Sequence, residues 1–89
     1  MTRKKVTYHD QNKAALERLC TQNDYEIAWM NEYQARVITG VIIVDIWTPR
    51  MRYNVINIDG VYQNAKYRSM SQQFDNKQVS KLLREGKIC

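Results

Sequence analysis

From Glu32 to Tyr53 the chain reads EYQARVITGVIIVDIWTPRMRY, with side chains of two kinds alternating through two turn signals. Alternation with period two is the mark of strands that bury one face. Taking Thr39-Gly40 as the first turn, glycine supplying the positive φ that tight hairpins need, sets a register. Ile38 then opposes Val41, Val37 opposes Ile42, Arg36 opposes Ile43, Ala35 opposes Val44, Gln34 opposes Asp45 and Tyr33 opposes Ile46. The register sorts Tyr33, Ala35, Val37, Ile42, Val44 and Ile46 onto an apolar face. Gln34, Arg36, Ile38, Val41, Ile43, Asp45 and Trp47 fall on the other. Thr48-Pro49-Arg50-Met51 signals a second reversal, because proline pre-sets φ for the second position of a turn. That reversal brings Arg52 opposite Trp47, Asn54 opposite Asp45 and Ile56 opposite Ile43, and it adds Tyr53 and Val55 to the apolar face.

The flanks supply helices. Thr7 or Asp10 can cap a first helix over about Gln11 to Thr21, with Ala15, Leu16, Leu19 and Cys20 on one stripe. Gln22-Asn23-Asp24 breaks it, and Tyr25 to Met30 alternates as a strand, with Tyr25, Ile27 and Trp29 opposed to Glu26, Ala28 and Met30. Asp59-Gly60 is a turn signal, after which Val61-Tyr62 begins a short further strand. Gln63 to Gln73 is polar and irregular, with Tyr67 and Met70 as anchors. A last helix is expected from about Asp75 to Glu85, with Val79, Leu82 and Leu83 facing inward and Gly86 ending it. The expected architecture is a two-layer α+β fold. It consists of an N-terminal helix, an antiparallel three- to four-stranded meander and a C-terminal helix, with both helices on the apolar sheet face.

Composition narrows the classes. A chain of 89 residues with 44% apolar content is expected to form a single domain over residues 1–89. The longest apolar run, Val41 to Val44, is far too short to span a membrane, and MTRKKVTYHD lacks the apolar stretch of a secretory signal. Cys20 and Cys89 make neither a metal spacing nor a disulfide framework, so reduced thiols and a cytoplasmic setting are expected. Fourteen basic against nine acidic residues give a net charge of +5, which favours nucleic acid or an acidic protein surface as partner.

The chain is expected not to be an enzyme and to need no cofactor. His9 is the single histidine, and none of the three glycines, Gly40, Gly60 and Gly86, sits in a phosphate-cradling loop. Asp45 interrupts an aliphatic run. It is explained by a salt bridge to Arg36 or a hydrogen bond to Gln34 or Asn54 better than by acid–base chemistry, since no second catalytic group lies beside it. Trp47 with Arg52 is the pair that points to a partner, because tryptophan and arginine dominate interface energetics. The candidate contact set is Gln34, Arg36, Asp45, Trp47, Arg50, Arg52, Asn54, Lys66 and Arg68.

Glu32-Tyr33-Gln34-x-Arg36, then Val44-Asp45-Ile46-Trp47-x-Pro49, then Arg52-Tyr53, resembles small accessory proteins encoded by tailed bacteriophages, over about the first two thirds of the chain. Asn57-Ile58-Asp59-Gly60 stands where that pattern has a glycine-rich basic stretch, so no role of that stretch carries over. The resemblance implies action in the cytoplasm of an infected bacterium. The expected function is binding and modulation of a host protein or nucleoprotein, in defence or transcription. The alternative is a nucleic-acid-binding module. There Trp47, Tyr53 or Tyr62 would stack on bases, and Arg36, Arg50, Arg52, Lys66 and Arg68 would meet phosphates. A homodimer through the open sheet face is the third reading.

Overall fold

The computed structural model describes residues 9–87 apart from 65 and 72; the expected cap Thr7, the cluster Arg3-Lys4-Lys5 and Cys89 lie outside them. In order the elements are α1 (His9–Gln22), β1 (Glu26–Trp29), β2 (Gln34–Ile38), β3 (Ile42–Trp47), β4 (Arg52–Ile58), β5 (Val61–Tyr62), β6 (Arg68–Ser69) and α2 (Asn76–Glu85). The fold is α+β as expected. Among the described residues the sheet has six strands, more than the three or four anticipated. β1 to β5 form an antiparallel meander, and β6 joins the edge of β4 beside β5. β5 is the short further strand expected at Val61-Tyr62, whereas β6 falls in the segment expected to be irregular and, at two residues, is too short to carry a periodic signal.

Both helices have backbone partners at their C-terminal ends. α1 begins at His9, earlier than expected, with Asp10 inside its first turn. It ends where Asp24 turns left-handed at φ 60°. There Tyr25 N–H donates to Cys20 O and Asp24 N–H to Thr21 O, which satisfies the terminal carbonyls. Asp75 caps α2 by accepting from Gln78 N–H, and Gly86 ends it at φ 77°.

Leu16, Leu19 and Cys20 of α1 and Val79, Leu82 and Leu83 of α2 share one buried cluster with Ala35, Val37, Ile42, Val44, Ile46, Tyr53 and Val55. Seven of the eight residues assigned to the apolar face are therefore core. Tyr33 is the exception, at 42% exposed. It precedes β2, and its carbonyl accepts from both the amide and the hydroxyl of Thr48.

The first hairpin register differs from expectation by one turn residue. Thr39 N–H donates to Ile42 O, so the two-residue loop is Gly40-Val41, not Thr39-Gly40. Gly40, at φ 96°, takes the first central position, where a type II′ turn puts its glycine. The shift moves pairing by two residues, so Ala35 meets Ile46, Val37 meets Val44 and Arg36 meets Asp45 directly. An even shift keeps every face, which is why the core assignment survives. Val41 leaves the outer strand face and becomes an exposed loop residue.

In the second hairpin Trp47 opposes Arg52 and Asp45 opposes Asn54, as expected. Ile56 does not oppose Ile43. The register shifts between Ile43 and Val44, leaving Ile56 as the extra residue of a bulge and bringing Asn57 opposite Ile43. The bulge also turns Ile58 to the core side, opposite Ile42. No helix among the described residues is long and apolar enough to cross a membrane.

Candidate functional site

The outer face of the sheet lies opposite both helices and can be followed in three cross-strand rows. The first, towards the Gly40 turn, is Glu26, Ile38, Ile43, Asn57 and Tyr62. The middle row is Ala28, Arg36, Asp45 and Asn54. The third, towards the Thr48–Met51 turn, is Gln34, Trp47, Arg52 and Ser69. The face is thus aliphatic at one end, ionic in the middle, and aromatic and cationic at the other.

The middle row is internally paired. Arg36 donates through Nε to Asp45 Oδ1 at 2.8 Å and through its terminal nitrogen to Oδ2 at 3.2 Å. Gln34 adds a third bond to Oδ2 at 3.3 Å. Asp45, only 5% exposed, therefore has both carboxyl oxygens held by side-chain partners. Its hydrogen bond and its charge hold the Arg36 guanidinium proton still more firmly than usual. Asn54 Oδ1, on the same row, is buried without a hydrogen-bond partner.

Above the third row opens a cavity of about 310 Å³ lined by Gln34, Trp47, Arg52 and Tyr67. Tyr67 arrives on the segment between β5 and β6, and its hydroxyl accepts from Gln34 Nε2 at 3.2 Å. Gln34 thereby links the cavity wall to Asp45. Partial burial and the nearby Asp45 carboxylate push the Tyr67 phenol upward, so it keeps its proton as a donor. Trp47 is half-buried, its ring tilted against Tyr33 at 5.8 Å between centroids, and Tyr33 leans in turn on His9. With Asp45 already countered by Arg36, Arg52 is the cation that lines the cavity.

The structure thus gathers Gln34, Arg36, Asp45, Trp47, Arg52 and Asn54 of the expected contact set on one face. Arg50 is exposed in the turn leading to Arg52, and Lys66 is exposed next to Tyr67. Arg68 pairs with Tyr53, which places it on the core side of the sheet edge, away from the cavity. Tyr67 was expected only as an anchor of its segment. The relation of Tyr67 to Gln34 spans 33 positions with no strand pattern between them, so no local signal carries it.

A second buried polar centre has a structural task. Asn12 Nδ2 donates to Thr48 O at 2.8 Å, while Asn12 Oδ1 accepts from Phe74 N–H at 2.8 Å. It ties α1 to the β3–β4 turn and to the entrance of α2. The turn that carries Arg52 is therefore braced from beneath. Among the described residues no three His, Cys, Asp or Glu side chains come together as a metal ion would require. Comparison with protein-family models, with curated proteins and with solved structures found no match for this chain.

Proposed function

We propose that this chain is a non-enzymatic binding protein that docks a partner protein on its outer sheet face. The observation that carries this reading is the arrangement of that face, with an aromatic–cationic cavity at one end and the half-buried Ile38 and Ile43 at the other. Interfaces are built this way: an aromatic and an arginine as anchor, with apolar area beside it. The groups around the cavity suit binding better than catalysis, because the neighbouring carboxylate is held by Arg36 and Gln34. The resemblance to accessory proteins of tailed bacteriophages supplies the setting, a host protein or nucleoprotein of the infected cell, in defence or transcription.

The test is capture from a nuclease-treated bacterial lysate, with the native chain beside Trp47→Ala and Arg52→Ala. A stoichiometric protein retained by the native chain and lost by both variants is the expected result. No such partner, together with tight binding of oligonucleotides, overturns it.

Direct nucleic-acid binding is the second reading, favoured by the net charge of +5 and by the placement of an indole beside a guanidinium. It requires log affinity to fall by roughly 0.7–0.9 per phosphate contact for each decade of salt. Affinity nearly flat in salt removes it. A strict monomer in sedimentation at micromolar concentration removes the homodimer.

A further inference from the structure

The distribution of charge over the outer face narrows the group that enters the cavity. Asp45 and Arg36 cancel one another in the middle row, and Glu26 is the ionic residue of the aliphatic row. Positive charge on this face is therefore concentrated at the cavity. Arg52 lines it, Arg50 stands exposed two residues earlier in the Thr48–Met51 turn, and Lys66 stands exposed next to Tyr67. The Tyr67 hydroxyl adds a neutral donor. A nucleic-acid track would need cations continuing along the face to follow successive phosphates, with successive aromatic platforms. Instead the rows beyond Arg52 offer a neutralised ion pair and then Glu26, Ile38, Ile43, Asn57 and Tyr62, with no further cation to meet a phosphate.

We propose that the cavity receives the carboxylate side chain of an acidic segment of the partner protein, with an apolar side chain of that segment lying over Ile38 and Ile43. The proposal rests on the reading of the outer face as a protein-docking surface. In it Arg52 donates to the carboxylate, Tyr67 Oη supplies a further hydrogen bond, and Trp47 packs on the methylene stem. Trp47 and Ile43 lie four residues apart on β3, about 13 Å at the rise of a strand. An extended segment meets both ends of the face when its carboxylate and its apolar residue are about four positions apart.

The probe is a short capped peptide carrying one glutamate and, about four residues on, one leucine. Its glutamine-for-glutamate counterpart and an oligothymidylate of similar length are the comparison ligands. Binding is followed by NMR through the Trp47 indole and Arg52 guanidinium signals of the native protein. The glutamate peptide is expected to shift both signals and to bind about tenfold or more tightly than the glutamine peptide, as loss of a charge-assisted hydrogen bond requires. Arg52→Gln should remove that preference, bringing the two peptides to equal affinity. Tyr67→Phe, a variant that keeps the ring, should weaken the glutamate peptide by a smaller factor.

If both peptides bind equally across the three rows, the carboxylate assignment is wrong and the docking face stands. If neither peptide shifts the signals at millimolar concentration, the assignment is overturned. Tighter binding of oligothymidylate overturns the assignment and the protein-docking reading together.

Discussion

At the scale of single residues, two asparagines show how this chain divides stability from surface. Asn12 is fully buried and bonded to two other parts of the backbone. Asn54 is half-buried in a central strand with its Oδ1 unbonded. A buried acceptor without a donor costs about 1–3 kcal/mol, and valine suits a strand better than asparagine. Asn54→Val should therefore raise stability in urea unfolding by about 1 kcal/mol. A loss of stability would show that the amide is bonded in solution. Cys20 gives a pH test of the core. Burial, with Glu17 adding negative charge, pushes its thiol up to about 11. The unfolded chain releases that proton near its ordinary pKa of about 8.5. Between those values the folded state holds the proton and the unfolded state does not, so stability falls as pH rises from about 8.5 towards 11. Below about 8.5 the thiol contributes no slope. Unfolding titrations across this window should show the decline in the native chain and a flatter profile in Cys20→Ala.

At the scale of elements, the end of α2 and the bulge of β4 depend on one another. A Cβ on Gly86 would lie 2.7 Å from Ile58 Cδ1, and φ 77° is strained for any residue bearing a side chain. Ile58 occupies that place because the bulge at Ile56 turns it to the core. Gly86→Ala should cost about 1–2 kcal/mol from the left-handed backbone, and more from the contact. In an Ile58→Val background, which deletes Cδ1 but keeps the branch carbon at 3.3 Å, most of the contact part of the cost should disappear. Unchanged cost in that background would separate the helix end from the bulge. These elements also show what the sequence made legible. Alternation in β2 and β3 and the stripe of Val79, Leu82 and Leu83 assign core faces, because burial imposes a period that no register error of two residues disturbs. The Arg36–Asp45 pair was legible for the same reason, since both residues lay on the outer face within reach of one another. The turn at Gly40-Val41, the bulge at Ile56 and the pairing of β6 were not. Each is decided by a single residue's backbone angle or by a contact across many positions, and neither leaves a repeating pattern. The pairing of Trp47 with Arg52 on the outer face was legible from the second hairpin alone. Tyr67, the cavity's other wall, required the fold.

At the scale of the whole molecule, the sheet separates two tasks by its two faces. The helices and the inner face carry the stability, while the outer face holds the side chains of the proposed docking surface. Val44 lies in the core and Arg52 on the exposed end of the opposite face. Val44→Ala should cost roughly 1–3 kcal/mol through lost burial and a cavity. Binding to the partner should survive in the fraction that stays folded. Arg52→Ala should change stability by no more than about 0.5 kcal/mol and abolish the anchor. The exposed rim separates once more. Arg50 and Lys66 do not line the cavity but stand exposed, close in sequence to Arg52 and Tyr67, which do, so their charge acts at a distance. Rim charges steer encounter, whereas a desolvated charged anchor holds the complex together. Arg50→Glu should therefore lower the association rate and reduce its sensitivity to salt, with little change in dissociation. Arg52→Ala should act in the opposite sense, raising the dissociation rate at any salt concentration. Surface-resonance kinetics with the captured partner, between low and physiological ionic strength, read both constants. If Arg50→Glu speeds dissociation as strongly as Arg52→Ala does, the partner's contact extends onto the Thr48–Met51 turn. The cavity would then be only part of the anchor.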